Sequence, residues 1–241
     1  MEAYRRAFGF CALRTDPATG RTTEFCSQTA LQQGLVSLTL IFVALGGAMS
    51  GVVGNYLGRR GTVQVGSAFA AVGAGGMLGT AGSLINYLVC KCIEGIGLGH
   101  LIAVAGVYGA ECFVAQKRGM LMTLYSLGLG GGNAMATLVC LGSSTYKSNL
   151  AWQIPIICQL PLSLLLGTGV YFFPKSPRWL LTKGRDEEAK RSFSWYYMKP
   201  ADHPDILSQV KDVENHIELE RLNGSTSSWT DIYRGQTFAE L

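Results

Sequence analysis

The sequence predicts an all-α membrane protein, a partial bundle of about five transmembrane helices with a charged helical tail. Three observations carry this. Five apolar tracts lie near residues 31–54, 62–82, 84–109, 120–141 and 152–173, each of about the 20 residues that a helix needs to cross hydrocarbon. Residues 31–174 hold only eight charged side chains: Arg59, Arg60, Lys91, Glu94, Glu111, Lys117, Arg118 and Lys147; 11 of the 16 acids follow. Glycine, 31 of 241 residues, recurs four apart within the tracts, at Gly47/Gly51, Gly75/Gly79, Gly95/Gly99 and Gly128/Gly132. In water so much glycine weakens helices; in lipid, small residues let helix backbones approach and pack. A soluble core of this length would need a charged outer face on each helix, which is missing here.

Three segments follow: 1–30 as an extracellular segment, 31–173 as the transmembrane bundle and 174–241 as a cytoplasmic helical tail. Basic residues sit between the first and second tracts (Arg59, Arg60), between the third and fourth (Lys117, Arg118) and after the fifth (from Lys175). The intervening turns carry no charge except Lys147. Positive-inside counting makes the basic turns and the tail cytoplasmic. The N-terminal segment resists this pattern, because Arg5, Arg6, Arg14 and Arg21 precede the first tract. No secretory signal peptide is visible there.

Composition narrows the function classes. Net charge is +4 and the bases cluster at tract ends, a pattern of membrane orientation rather than of nucleic-acid binding. Cys11, Cys26, Cys90, Cys92, Cys112, Cys140 and Cys158 are expected as small packing residues; Cys90 and Cys92 lack a second pair at metal spacing, so no metal is implied. "GIGLGH" at 95–100 and "GLGGGN" at 128–133 follow no strand and precede no Lys-Ser/Thr, which excludes a nucleotide loop. No nucleophile–base set appears in a soluble region, so an enzyme is not expected, nor a cofactor.

At the seam, "FFPKSPRWLLTKGRDEEAK" at 172–190 turns from apolar to alternating charge. Beyond it, 185–197 and 205–222 read as amphipathic helices, the second with Ile206, Val210, Val213 and Ile217 on one face. Pro200, His203 and Pro204 mark the break between them.

The tract ends carry a recognisable set of motifs: "GNYLGRRG" at 54–61, "KCIEGIGLG" at 91–99, "VYGAECFVAQKRG" at 107–119, "WQIPIICQ" at 152–159 and "PKSPRWLLTKGRDEEA" at 174–189. In order and spacing they resemble the sugar porter family of the major facilitator superfamily, in its fungal-type hexose and disaccharide permeases. The resemblance covers about residues 31–235. It implies two six-helix halves rocking about a sugar near the midplane. The five tracts match the second to sixth spans of the amino-terminal half, so the first span and the carboxy-terminal half are expected to be missing.

The resemblance also implies site residues. Arg59, Arg60, Glu111, Arg118 and Arg178 match a cytoplasmic charge latch, a bistable contact built of charged hydrogen bonds; the alternative is that the bases only set topology. Lys175 stands where the family has Glu, and Asn55 where it usually has Asp. Lys91 matches an Arg that faces an acid on the first span in proton-coupled members. Here Glu94, three residues on, is within reach of it, so the pair is a coupling candidate or a Lys91 that snorkels to the surface. His100 is expected as a packed polar residue. Ser126 falls where the family has a sugar-binding Gln, and Tyr125, Asn133 and Gln159 are further candidates for substrate contact or helix packing. Trp152 and Pro155 are expected as an interface anchor and a kink.

The implied function is sugar transport by alternating access, with proton coupling as a possible accompaniment. The alternative is a non-transporting remnant that associates with full-length transporters. Partners are the lipid bilayer, a sugar, protons and, under the alternative, a second transporter chain; the family default location is the plasma membrane. Asn223-Gly-Ser225 is a glycosylation sequon. With a cytoplasmic tail it stays bare, so glycosidase treatment of cell-expressed protein leaves its gel mobility unchanged; a shift would reverse the topology.

Overall fold

The computed structural model describes residues 4, 7, 8, 11–15, 22–26, 30–80, 83–113, 118–146 and 148–224. Arg5, Arg6, Arg21, Lys117 and Lys147 lie outside the described residues, as do the side chains of Arg14, Arg118 and Asn223. The chain divides into two compact units, Met1–Phe173 and Pro174–Leu241.

The first unit opens with an antiparallel hairpin, β1 (Cys11–Thr15) and β2 (Thr22–Cys26), in a register that sets Cys11 opposite Cys26. Four long helices follow: α1 (Ala30–Leu78), α2 (Leu84–Cys112), α3 (Arg118–Ser143) and α4 (Leu150–Gly169), the last extended by a 3-10 turn over Val170–Phe172. All four are long and apolar enough to cross a membrane.

The apolar part of α1 runs for 42 residues, which at 1.5 Å per residue is about twice a hydrocarbon core. Gly58 resolves the excess. Its backbone is left-handed and extended (φ 76°, ψ 173°) inside otherwise helical residues, a conformation open to glycine and costly to L-residues. Contacts with α2 show that the chain reverses there. Before Gly58, Thr39 meets Gly95 and Val43 meets Gly99, so the strand of contacts rises together. After it, Gly66 meets His100, Ala70 meets Gly97 and Gly73 meets Cys90, so one number falls as the other rises. Residues 30–57 therefore run parallel to α2 and residues 59–78 antiparallel to it. The helix labelled α1 is two spans, so the described residues hold five.

Glycine also sets how closely these spans approach. A Cβ on Gly99 would lie 2.1 Å from the Val43 carbonyl oxygen, and one on Gly46 2.2 Å from the Ile96 oxygen. On the other face of α2, a Cβ on Gly97 would lie 2.5 Å from the Ala70 nitrogen. α2 is thus the central element, gripped on both sides. α4 packs on residues 59–78, where Gly75 meets Leu160 and a Cβ on Gly167 would strike Ser67 Oγ at 2.4 Å. It stays helical through Pro155 and Pro161.

Two apolar clusters pin the ends of this packing. Val63, Val104 and Val170 close one end; Phe8, Ala74, Met77, Trp152 and Ile156 close the other. α3 lies apart from both. Tyr125 Oη donates to the Ile102 carbonyl at 3.0 Å, but Ser143 is its one buried residue among those described. Gly128, Gly130, Gly131 and Gly132 have no neighbouring atom within 4 Å of an added Cβ.

The second unit is three helices: α5 (Pro177–Thr182), α6 (Asp186–Tyr197) and α7 (Pro204–Gly224). Ser176 caps α5 by accepting the Trp179 N–H at 3.3 Å, with Pro177 at the first helical position. Asp186, Glu187 and Glu188 place negative charge at the start of α6. Leu180, Leu181, Ala189, Phe193, Ile206 and Val210 form its core, with Val213 and Ile217 packed against it.

Gly99→Val is expected to abolish a monodisperse gel-filtration peak in detergent, because overpacking against backbone has no side chain to yield (about 1–3 kcal/mol or more). Gly130→Val, open on all sides, is expected to leave the peak unchanged.

Candidate functional site

The described residues hold one buried carboxylate in the middle of a span. Glu94 lies ten residues into α2, about 15 Å along it, and is 1% exposed. Gly73 makes the room, since a Cβ there would lie 2.7 Å from the Glu94 Cβ. Lys91 Nζ meets Glu94 Oε2 at 2.7 Å, and Gln159 of α4 donates from Nε2 to Glu94 Oε1. An unpaired charge here would cost several kcal/mol; the ammonium and amide together satisfy both carboxylate oxygens. The pair joins α2 to itself and Gln159 joins it to α4. Lys91, about a third exposed, keeps its charge reachable from outside the packing while Glu94 does not.

The charge-latch residues divide. Arg59, just after the Gly58 reversal, forms a forked pair with Glu111 near the end of α2: Nε lies 3.1 Å from both carboxylate oxygens and Nη2 2.9 Å from Oε1. This two-pronged geometry fixes orientation as well as charge. Arg60 turns to α4, donating to the Phe173 carbonyl at 3.2 Å, with its guanidinium 4.4 Å from the Tyr171 ring centre. Arg118 opens α3, with its side chain outside the described residues. In the second unit, Arg178 pairs with Glu220 of α7. Lys175 Nζ sits 5.4 Å from the Trp179 ring centre, and its carbonyl accepts from Ser192 at 2.7 Å.

The sugar-site candidates also divide. Ser126 Oγ donates to the Met122 carbonyl of its own helix at 2.9 Å, and Tyr125 reaches across to α2. Asn133 is exposed, its carbonyl accepting from Thr137. Gln159 is tied to Glu94, so the substrate candidate and the coupling candidates form one cluster. His100 is fully buried, with Nδ1 2.9 Å from the Ile96 carbonyl; its Nε2 has no partner among the described residues.

Sequence reading missed three features. The Gln159–Glu94 link joins different spans and has no spacing signature. Glu220 as the partner of Arg178 depends on how α7 folds back. Cys11 is disulfide-bonded, which corrects the expectation that every cysteine is a packing residue. A signal for it existed: "CALRTDPATGRTTEFC" places two cysteines symmetrically about an Asp-Pro…Gly turn.

A glycine-seamed bundle of five spans with a paired charge at its centre defines a multi-pass membrane protein. The family model for "Sugar (and other) transporter" matches residues 5–239. The chain is 30% identical over 215 residues to a probable quinate permease of Aspergillus flavus, covering 86% of this chain and 40% of that protein. It is 29% identical to a high-affinity fructose transporter of Schizosaccharomyces pombe, covering 92% and 41%. Among solved structures, the proton:xylose symporter XylE, a member of the major facilitator superfamily bound to 6-bromo-6-deoxy-D-glucose, superposes with a TM-score of 0.76 at 20% identity, over 92% of this chain and 49% of that one. The partially occluded, inward-open XylE of E. coli gives 0.72 at 21% identity, over 79% and 49%. The chain belongs to the sugar transporter family and carries part of the major facilitator fold. It spans about two fifths of the length of the curated relatives it matches, which are permeases and transporters rather than enzymes.

Lys91→Met leaves Glu94 buried without its counter-charge, a loss of about 3–5 kcal/mol for a broken buried pair. The thermal midpoint in detergent is expected to fall, and the double variant Lys91→Met/Glu94→Gln to recover most of it. A double variant no better than the single one would refute the pairing.

Proposed function

We propose that the chain takes part in moving a sugar, a hexose or disaccharide, across the plasma membrane by alternating access. Family membership over nearly the whole chain carries this reading. Relatives of the same family are named for fructose and glucose, and the Glu94–Lys91–Gln159 cluster supplies polar groups at mid-bilayer depth. The basic turns at Arg59 and Arg118 and the tail after Lys175 face the cytoplasm, and the N-terminal hairpin faces the opposite side. Arg59, Arg60, Glu111 and Arg118 of the first unit, and separately Lys175 and Arg178 of the second, are the cytoplasmic charge-latch residues. Ser126, Tyr125, Asn133 and Gln159 are the sugar-side residues. The forked Arg59–Glu111 bond clamps the first reversal to the end of α2, so that the two move as one piece of the gate.

Proton coupling enters through Glu94. A buried carboxylate that bonds both a cation and an amide changes its partners on protonation. Neutral Glu94 releases the Lys91 ammonium and loosens Gln159, which links proton uptake to the amide offered to a sugar hydroxyl.

One observation favours a second reading, association with a further transporter chain. α3 carries four glycines with open space around them, the surface a neighbouring span packs on. Gly95, by contrast, is already filled by Thr39 and Phe42, so the informative change for that reading is Gly130→Leu. Loss of co-purification with a full-length relative on that change supports it; a solitary monomer counts against it.

Reconstitution of the chain in vesicles is expected to give saturable hexose uptake above empty vesicles. Under proton coupling, an inward pH gradient accelerates that uptake, and Glu94→Gln removes the acceleration. Uptake equal to that of empty vesicles would overturn transport by the chain alone.

A further inference from the structure

Tyr4, Ala7 and Phe8, which precede the first span, are seated on the bundle. Phe8 is 8% exposed. Its ring centre lies 4.8 Å from Tyr4, 5.1 Å from Tyr87 and 5.5 Å from Trp152. Tyr87 lies in the first turn of α2 and Trp152 in the first turn of α4, so Phe8 bridges the ends of two parallel spans. Behind the four rings lie Ala74, Met77, Leu160 and Cys90. Cys90 is a free thiol, and Glu94 follows one helical turn deeper. Burial, followed by the charge of Tyr87, pushes the Tyr4 phenol up to about 12, so this packing stays neutral throughout the physiological range.

A second feature holds the segment in place. Cys11 is disulfide-bonded, and the hairpin register puts Cys26 directly across from it, the cross-strand placement that a disulfide fits. With that crosslink the tether from Phe8 to Ala30 shortens from 22 residues to seven. A short tether raises the effective concentration of the aromatic segment at its seat. Disulfides persist on the oxidising side of a membrane. The covalent hairpin therefore places this end outside the cytoplasm, against the pull of the arginines around it.

We propose that Tyr4 and Phe8 form an exoplasmic lid over the approach to Cys90 and Glu94, and that the disulfide at Cys11 keeps them seated. The lid covers the end of the bundle at which Trp152 Nε1 is buried without a partner among the described residues. It leaves the opposite end, closed by Val63, Val104 and Val170, untouched.

The test uses the full chain in lipid nanodiscs, with Cys92, Cys112, Cys140 and Cys158 replaced by Ala so that Cys90 is the reporter thiol. A charged maleimide labels it slowly while the lid is seated. Phe8→Ala, and separately Cys11→Ser/Cys26→Ser, are expected to raise the labelling rate about tenfold, as local opening exposes the thiol; Phe8→Tyr keeps the parent rate. An unchanged rate in either opening variant overturns the lid, provided that circular dichroism shows the helices intact. A second measurement needs no substitution. In intact cells, a membrane-impermeant maleimide is expected to modify Cys11 only after an impermeant reductant is added outside. Labelling without reductant overturns the disulfide, and labelling only after permeabilisation overturns the exoplasmic placement. Neither readout depends on transport, so the lid and the proposed sugar function stand or fall separately.

Discussion

The near-contact of α2 with both halves of α1 is the constraint on which the first unit depends. Lipid offers no hydrophobic drive for one apolar helix to leave it for another, so association rests on close packing. At Gly46, Gly97 and Gly99 the backbones approach until no Cβ fits. That approach fixes the position of α2 from two opposite directions. It also places Gly73 against Glu94, and only there does a carboxylate find the space, the lysine and the glutamine that keep it inside a membrane span. The central charge is thus a product of the glycine seam rather than an independent feature. The terminal clusters around Val104 and Trp152 then limit sliding along the seam.

Polar groups elsewhere in the spans follow a simpler logic. Ser50, Thr62, Ser67, Thr80, Thr123, Ser126, Ser163 and Thr168 return their hydroxyls to backbone carbonyls three or four residues earlier. Each satisfies itself on its own local backbone and asks nothing of a neighbouring helix. Against that background four bonds between elements stand out among the described residues: Arg59 to Glu111, Gln159 to Glu94, Tyr125 to Ile102 and Arg60 to Phe173. Three of the four end at, or start from, α2.

Much of the fold was legible because membrane helices leave one-dimensional signals. Apolar length marks each span, the four-residue glycine rhythm marks the seam, and the stripe from Ile206 to Ile217 marks the face of α7 that packs on α5 and α6. What was not legible depends on meetings between distant residues. Nothing in the spacing of Gln159 reveals that it reaches Glu94, 65 positions earlier, nor does Arg178 announce Glu220. The i, i+3 partnership of Lys91 with Glu94 was readable because both groups share one helix face. The hairpin was readable in principle from its turn and its two cysteines, but four nearby arginines and the prior for reduced, packing cysteines in an apolar chain pointed elsewhere. Phe8 carries no signal of its own in the short apolar stretch at 7–13, and only its seat between Tyr87 and Trp152 gives it meaning.

The reversal at Gly58 has a practical corollary. One residue turns the chain between two spans; Arg59 and Arg60 beside it are engaged with groups on other elements, and Thr62 donates its hydroxyl to the Gly58 carbonyl itself. There is no slack at that corner for an epitope, a fluorescent protein or a protease site, and an insertion would pull Arg59 or Arg60 from its partner.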